Sequence, residues 1–437
     1  MIISERAVQR RIKRANTDWW INEKAVVGKN GKTYIAYFND MGEIHIKELD
    51  AKCSRALSRD VCLTRLNGSY ADEHNSPSLC VMENGHIVVA YTAHAASNTL
   101  KCRVTRRPYD IDSFGEEKVL TYGSSVTYAQ LFENTGREEL WLFTRVNRVT
   151  WEFRFSRDMG DSWSEPHTFL KSDAGGLFYF DVRKQLIPDA VRGTQEQWFF
   201  ALYGHPRISA DHTIRAGIFD SDGALLDMNG NKTGKSLFSQ GEDGILDLNR
   251  LDTVYASPEG ETVRLLEVAP TLPYRVGLAS FKLNRPETIA YYISSWRGDA
   301  FGLSQPICSG GEFLSPDTQL DGSQTYVGGM ACYYGVGSAG FHSRNWGETI
   351  NTDRVFIARF DGQTRVLESY VSLDNGGTYA LEQVIRRLAT PDRQKIWRPI
   401  VPIHAQDNLP VYWHEGIYSA HTGGWHCDAV MMIEYDD

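Results

Sequence analysis

The strongest constraint on this chain is a unit that recurs: a short apolar run, a polar turn built on glycine, and a second, stronger alternating run. It reads VVGKNGKTYIAYF at Gly31, SLCVMENGHIVVAY at Gly85 and QLFENTGREELWLF at Gly136, and returns more loosely at Gly193 and Gly260. These glycines are 54, 51, 57 and 67 residues apart. Asn30-Gly31 and Asn84-Gly85 suit the two-residue turn of a β-hairpin, because both residue types accept positive φ. A β unit repeating roughly every 50–65 residues predicts a propeller. At that spacing, 437 residues predict an all-β fold, one seven-bladed β-propeller with four-stranded antiparallel blades over residues 1–437. Helical periodicity is nearly absent, with a short turn expected only around Ala380–Leu388.

Two octapeptides support this. Ser156-Arg157-Asp158-Met159-Gly160-Asp161-Ser162-Trp163 fits the Asp-box pattern S-x-D-x-G-x-[ST]-W, and Ser372–Tyr379 is a copy with Tyr in place of Trp. In such a turn the Asp accepts hydrogen bonds across the loop, the Gly supplies positive φ and the aromatic packs beneath. Asp boxes cap outer hairpins; they are structural.

Composition narrows the function. With 46 basic and 55 acidic residues the net charge is −9, without the basic footprint of general nucleic-acid binding. No apolar run reaches the length of a membrane span, so neither nucleic acid nor membrane is an expected partner. The first residues lack the apolar core of a secretion signal, and the 7 cysteines are odd in number. A cytoplasmic protein with reduced thiols is expected, or a secreted or periplasmic one if a signal was removed. A monomer or small homo-oligomer is expected.

The chemistry-bearing residues fall at hairpin mouths. His74 and His94 lie symmetrically, within one residue, about the Asn84-Gly85 turn, and antiparallel pairing sets such residues side by side. Tyr128 and Arg145 are symmetric about the next turn, and His205 and Arg207 close the unit after that. His74, His94, Tyr128, Arg145 and His205 should converge on one end of the propeller axis. No acid pair stands out for a two-carboxylate glycosidase, and no nucleophile elbow is present. Two His, a Tyr and an Arg do suit β-elimination from a uronate. Arg145 would bind the sugar carboxylate, a neutral His would take the C5 proton, and Tyr128 would donate to O4 or act as base. Which of His94 and Tyr128 holds which role stays open.

DEHNSP (72–77), YTAH (91–94), TYAQL (127–131), LFTR (142–145), the first Asp box and GHPR (204–207) together resemble the BNR-repeat propeller polysaccharide lyases, the group of the ulvan lyases and rhamnosyl-glucuronate lyases. The resemblance is clearest over residues 70–225. It implies syn-elimination at glucuronate or iduronate, with His74, His94, Tyr128 and Arg145 as the catalytic set; Asn75, His205 and Arg207 are separately expected to bind substrate. The expected partner is a uronate-containing poly- or oligosaccharide. Two rivals stand beside it. One is a glycoside hydrolase of rhamnosidase or sialidase type, for which Arg145, Arg215, Arg275 and Arg344 could supply an arginine triad. The other is a non-catalytic glycan-binding propeller. The chemistry requires no cofactor. A structural Zn²⁺ or Ca²⁺ is a separate expectation, with His414, His421, His426 and Cys427 as the candidate ligands.

Overall fold

The computed structural model describes residues 8–17, 24–50, 59–66, 72–172, 178–189, 193–205, 212–239, 241–269, 274–283, 285–313, 325–326, 329–334, 353–388, 394–404, 411–417 and 426–433. Antiparallel sheets follow one another along the chain and pack side by side into a closed ring, an all-β propeller. Two marker glycines of the sequence repeat, Gly31 and Gly85, occupy hairpin turns with φ of 74° and 84°.

The expectation of a seven-bladed propeller with four-stranded blades is corrected. Among the described residues six blades, not seven, are each built from one continuous run of successive strands, and their sheets hold five, four, four, six, five and four strands in chain order. A further four-stranded sheet is composite. It joins Gln394–Ile400, Val411–Ile417 and His426–Ile433 to Val8–Ile12 from the other end of the chain. Division of the length by an average repeat misses this, because the repeats differ in length and one sheet draws on both ends. The segment Ala380–Leu388 is an outer strand rather than a turn of helix. Two register shifts in its pairing with Arg365–Ser372 break the two-residue alternation and leave Leu381, Val384, Ile385 and Leu388 at helix-like spacing.

Both Asp boxes sit on outer hairpins and share one hydrogen-bond pattern. Ser156 Oγ lies 2.8 Å from Asp158 Oδ1, and Asp158 Oδ1 accepts from Ser162 N at 2.8 Å. Ser372 and Asp374 repeat the first contact at 2.8 Å, and Thr378 N donates to Asp374 at 2.9 Å. Substituting Tyr for Trp leaves the turn intact.

The largest core cluster is aromatic and lies across the third, fourth and fifth blades. Trp141 and Trp198 meet with centroids 4.3 Å apart and planes tilted by 34°, and Phe200 stacks on Phe219 at 4.9 Å. All four are fully buried, each worth roughly 1.5–3 kcal/mol by area removed from water. Near the axis, Lys24, Arg183, Glu267, Met330 and Arg398 line a cavity of about 40 Å³.

Candidate active site

Three successive inner hairpins open at the same end of the ring, and their mouths carry the site. His74 sits in a short 3-10 turn, Glu73–Asn75, before the strand Ser78–Val81, and His94 follows its hairpin partner Ile87–Tyr91. The strands pair Ser78 with Ala90 and Val81 with Ile87, and continuing this register brings the two imidazoles together. They stack with centroids 4.1 Å apart and planes within 13°.

A residue not singled out from sequence explains how they are held. Asp72 caps the 3-10 turn, its side chain accepting from His74 N at 3.0 Å. The same carboxylate takes the Nδ1–H of His74 on one oxygen and the Nδ1–H of His94 on the other, the latter at 2.5 Å. An ionised carboxylate only accepts, so both rings carry their proton on Nδ1 and present Nε2 as the basic nitrogen. Burial raises the Asp72 carboxyl, but the hydrogen bonds from the two histidines outweigh it and hold the group well below the usual carboxylate range. An acid two positions before a mouth histidine is the signal that would have found it.

Asn75 is buried behind the pair, and its side-chain oxygen accepts from His94 N at 2.8 Å. The structure thus gives it a contact that positions His94. The His94 loop is also tied to the next blade, where Ala95 N donates to Thr127 Oγ1 at 3.1 Å.

On that blade the strands Val126–Asn134 and Glu139–Val146 pair Asn134 with Glu139, but a bulge between Thr127 and Gln130 makes Thr127, not Tyr128, the partner of Arg145. Tyr128 adopts a φ of +64°, a conformation costing a bulky residue of order 1–3 kcal/mol. Thr144 Oγ1 clamps the bulge by donating to the carbonyls of Thr127 at 3.1 Å and Tyr128 at 2.6 Å. The kink aims the Tyr128 ring at the histidines, 5.9 Å from His74 and 6.2 Å from His94 between centroids.

Arg145 lies over the Tyr128 ring with Cζ 4.5 Å from its centroid and reaches Tyr179 at 5.4 Å. Its Nη2 approaches Tyr128 Oη at 3.5 Å. Among the described residues no group accepts a hydrogen bond from its buried Nε and Nη1. Burial pushes the Tyr128 phenol well above its ordinary value, against the opposing pull of Arg145, so the phenol is protonated at neutral pH.

The third mouth adds Tyr179, which stacks on Tyr203 at 5.3 Å and meets the His205 ring at 5.7 Å. His74, His94, Tyr128, Arg145 and, through Tyr179, His205 therefore share one end of the ring. Arg207 and Arg344 lie outside the described residues. Arg275 is spent elsewhere, in a buried ion pair with Asp353.

Of the expected metal ligands, His414 is fully buried. Its Nε2 meets Thr17 N at 3.0 Å and Thr17 Oγ1 at 2.9 Å, tying the composite sheet to the first blade. His421 lies outside the described residues, as do the side chains of His426 and Cys427 on the strand His426–Ile433. Two groups among the described residues do bring three ligand atoms within 4.8 Å of one another: Asp72, His74 and His94, and, on the outer surface, Glu43, His45 and Cys62.

Comparison with known proteins bears on the fold. Residues 32–172 match the BNR repeat-containing family. An ulvan lyase of Pseudoalteromonas sp. (strain PLSV), designated PL25, is 25% identical over 177 residues, 35% of this chain and 34% of its own length. An ulvan lyase of Nonlabens ulvanivorans is 27% identical over 165 residues, 32% of this chain and 34% of its own. The chain thus spans about a third of the length of the curated relatives it matches. A solved PL25 ulvan lyase superimposes over 97% of this chain and 96% of its own, with a TM-score of 0.65 at 14% identity. At that identity the match speaks for fold. The segment that carries His74, His94, Tyr128 and Arg145 lies within the match to the BNR repeat-containing family, and in fold this chain is similar to a propeller ulvan lyase.

Proposed function

We propose that this protein is a polysaccharide lyase that breaks a glycosidic bond to a uronic acid by syn β-elimination, acting on glucuronate or iduronate linked to a deoxysugar such as rhamnose. Arg145 carries the reading. A buried guanidinium whose Nε and Nη1 lack partners among the described residues costs about 1–3 kcal/mol per unmet group, and a sugar carboxylate bridging Nη1 and Nη2 would relieve the Nη1 part of that cost. The ulvan lyases similar to this chain, and a related structure bound to -[GlcA(1-4)Rha3S]-, support the same substrate class.

The step balances on residues already in place. Pairing with Arg145 neutralises the uronate and acidifies its C5 proton. His94, the more exposed of the two histidines, takes that proton on Nε2. The C5–H electron pair forms the C4=C5 double bond as the C4–O4 bond breaks. Tyr128, kept protonated by burial, gives its proton to O4, and Arg145 over the ring stabilises the phenolate. Return of the proton from His94 to Tyr128 resets the site. Base and acid stand at one mouth, which favours departure of the proton and O4 from the same sugar face. Hydrolysis by two acids fits less well, since both Asp72 oxygens are committed to the histidines.

Incubation with a rhamnose–glucuronate polymer tests the reading. Elimination predicts ultraviolet absorbance from a new C4–C5 double bond. New reducing ends without it mean a hydrolase, and neither signal with retained binding means a lectin-like propeller.

A further inference from the structure

A second cluster of metal-ligating groups lies on the first blade, outside the candidate active site. Glu43 and His45 sit two apart on the strand Glu43–Asp50, so they share one face. Cys62 on the neighbouring strand Arg59–Arg65 is the direct cross-strand partner of His45. The three ligand atoms lie within 4.8 Å of one another. His45 Nε2 and Glu43 Oε2 are 3.5 Å apart, close to the roughly 3.3 Å that a shared tetrahedral ion at ~2.0–2.2 Å from each demands.

The surroundings fix these groups. Asp60 Oδ1 binds His45 Nδ1 at 3.0 Å, leaving Nε2 toward Glu43 and Cys62. Asp60 is held in turn by Tyr37 Oη at 2.7 Å and Lys47 Nζ at 3.1 Å, and the His45 ring stacks on Tyr37 at 5.1 Å. Asn39 donates to Glu43 Oε2 at 2.8 Å and reaches His45 Nε2 at 3.3 Å. A carboxylate that fixes the outer nitrogen of a ligand histidine is the usual support of a zinc site. One thiolate, one imidazole and one carboxylate suit a borderline-soft ion better than Ca²⁺ or Mg²⁺.

We propose that Glu43, His45 and Cys62 bind one Zn²⁺ on the outer hairpin of the first blade, with water as the fourth ligand. Binding removes the Cys62 thiol proton and replaces the Glu43–His45 contact with two bonds to metal. The proposal does not depend on the lyase reading.

The test uses the full chain, freed of metal by a chelator and titrated with Zn²⁺ against a chromophoric competitor, then with Co²⁺. The expected result is one tight Zn²⁺ per chain and a thiolate-to-Co²⁺ charge-transfer band. Cys62→Ser should abolish the band and weaken Zn²⁺ at least 10-fold. Asp60→Asn, which keeps every ligand, should weaken it about 10–100-fold. The Asp72→Asn variant should leave both signals unchanged. No charge-transfer band in the wild type overturns the site. So does a band that survives Cys62→Ser, which would place the thiolate on another cysteine.

Discussion

The Arg145 guanidinium lies over the ring of Tyr128, Cζ to centroid 4.5 Å. The pair is not an ordinary cross-strand neighbour, since the bulge shifts Arg145 onto Thr127. The strain at Tyr128 therefore bears on function. Without the bulge, Tyr128 would pair directly with Arg145.

Tyr128→Phe keeps the ring and loses only the hydroxyl. It should cut kcat by at least about 10²–10⁴-fold, the usual worth of a positioned acid, with the melting temperature little changed. A variant turning over near the wild-type rate removes Tyr128 from the acid role.

Arg145→Met separates stability from activity. It should abolish elimination on uronates, yet leave the fold as stable or more stable by about 1–3 kcal/mol, because a buried donor set without partners disappears. Parallel thermal melts and absorbance assays check both halves. A large loss of stability would mean that Arg145 is structural.

Asp72→Asn leaves the histidines in place but frees their tautomers. Loss of about 10²–10⁴-fold in kcat is expected, in line with mutations of a carboxylate that orients a catalytic histidine. The pH dependence gives a second readout. The Asp72 carboxyl is depressed in the folded state, so its stabilising contribution is present above the free value near 3.9 and is lost as pH falls through the folded one. The stability gap between wild type and variant should hold from neutral pH to about pH 4 and close only below that. A gap that closes between pH 5 and 7 would contradict the assignment.

Glu267 titrates in the opposite sense. Burial raises its carboxyl to about 8, against about 4.3 when free. An acid raised in this way contributes its full stability below the free value and loses it as pH climbs through the folded one. Glu267→Gln should therefore gain melting temperature relative to wild type progressively from about pH 4 to 8, then level off. A gap that stays flat across that range would rule out the buried carboxyl as its source.

Much of the site was legible because hairpin arithmetic needs only a turn and a register. The Asn84-Gly85 turn located the His74–His94 stack, and the Asn134–Glu139 turn came within one residue of pairing Tyr128 with Arg145. Asp72 escaped because its role depends on a 3-10 turn that curls back under both rings, and curvature leaves no periodic trace. The bulge escaped because VTYAQLF contains no glycine or proline to mark it. The blade count went astray because the repeats differ in length and one sheet draws on both ends of the chain, and the strand number per blade because short edge strands such as Phe301–Leu303 and Cys308–Ser309 carry too few residues for any alternation to register.

The sheet that joins Val8–Ile12 to His426–Ile433 has a temporal consequence. A strand among the first described must wait, unpaired, for one among the last before the circle can lock. Removing Val8–Ile12 would bare the rim of His426–Ile433, a ready template for docking with a neighbouring molecule. The seam is thus where this architecture is most exposed to misassembly.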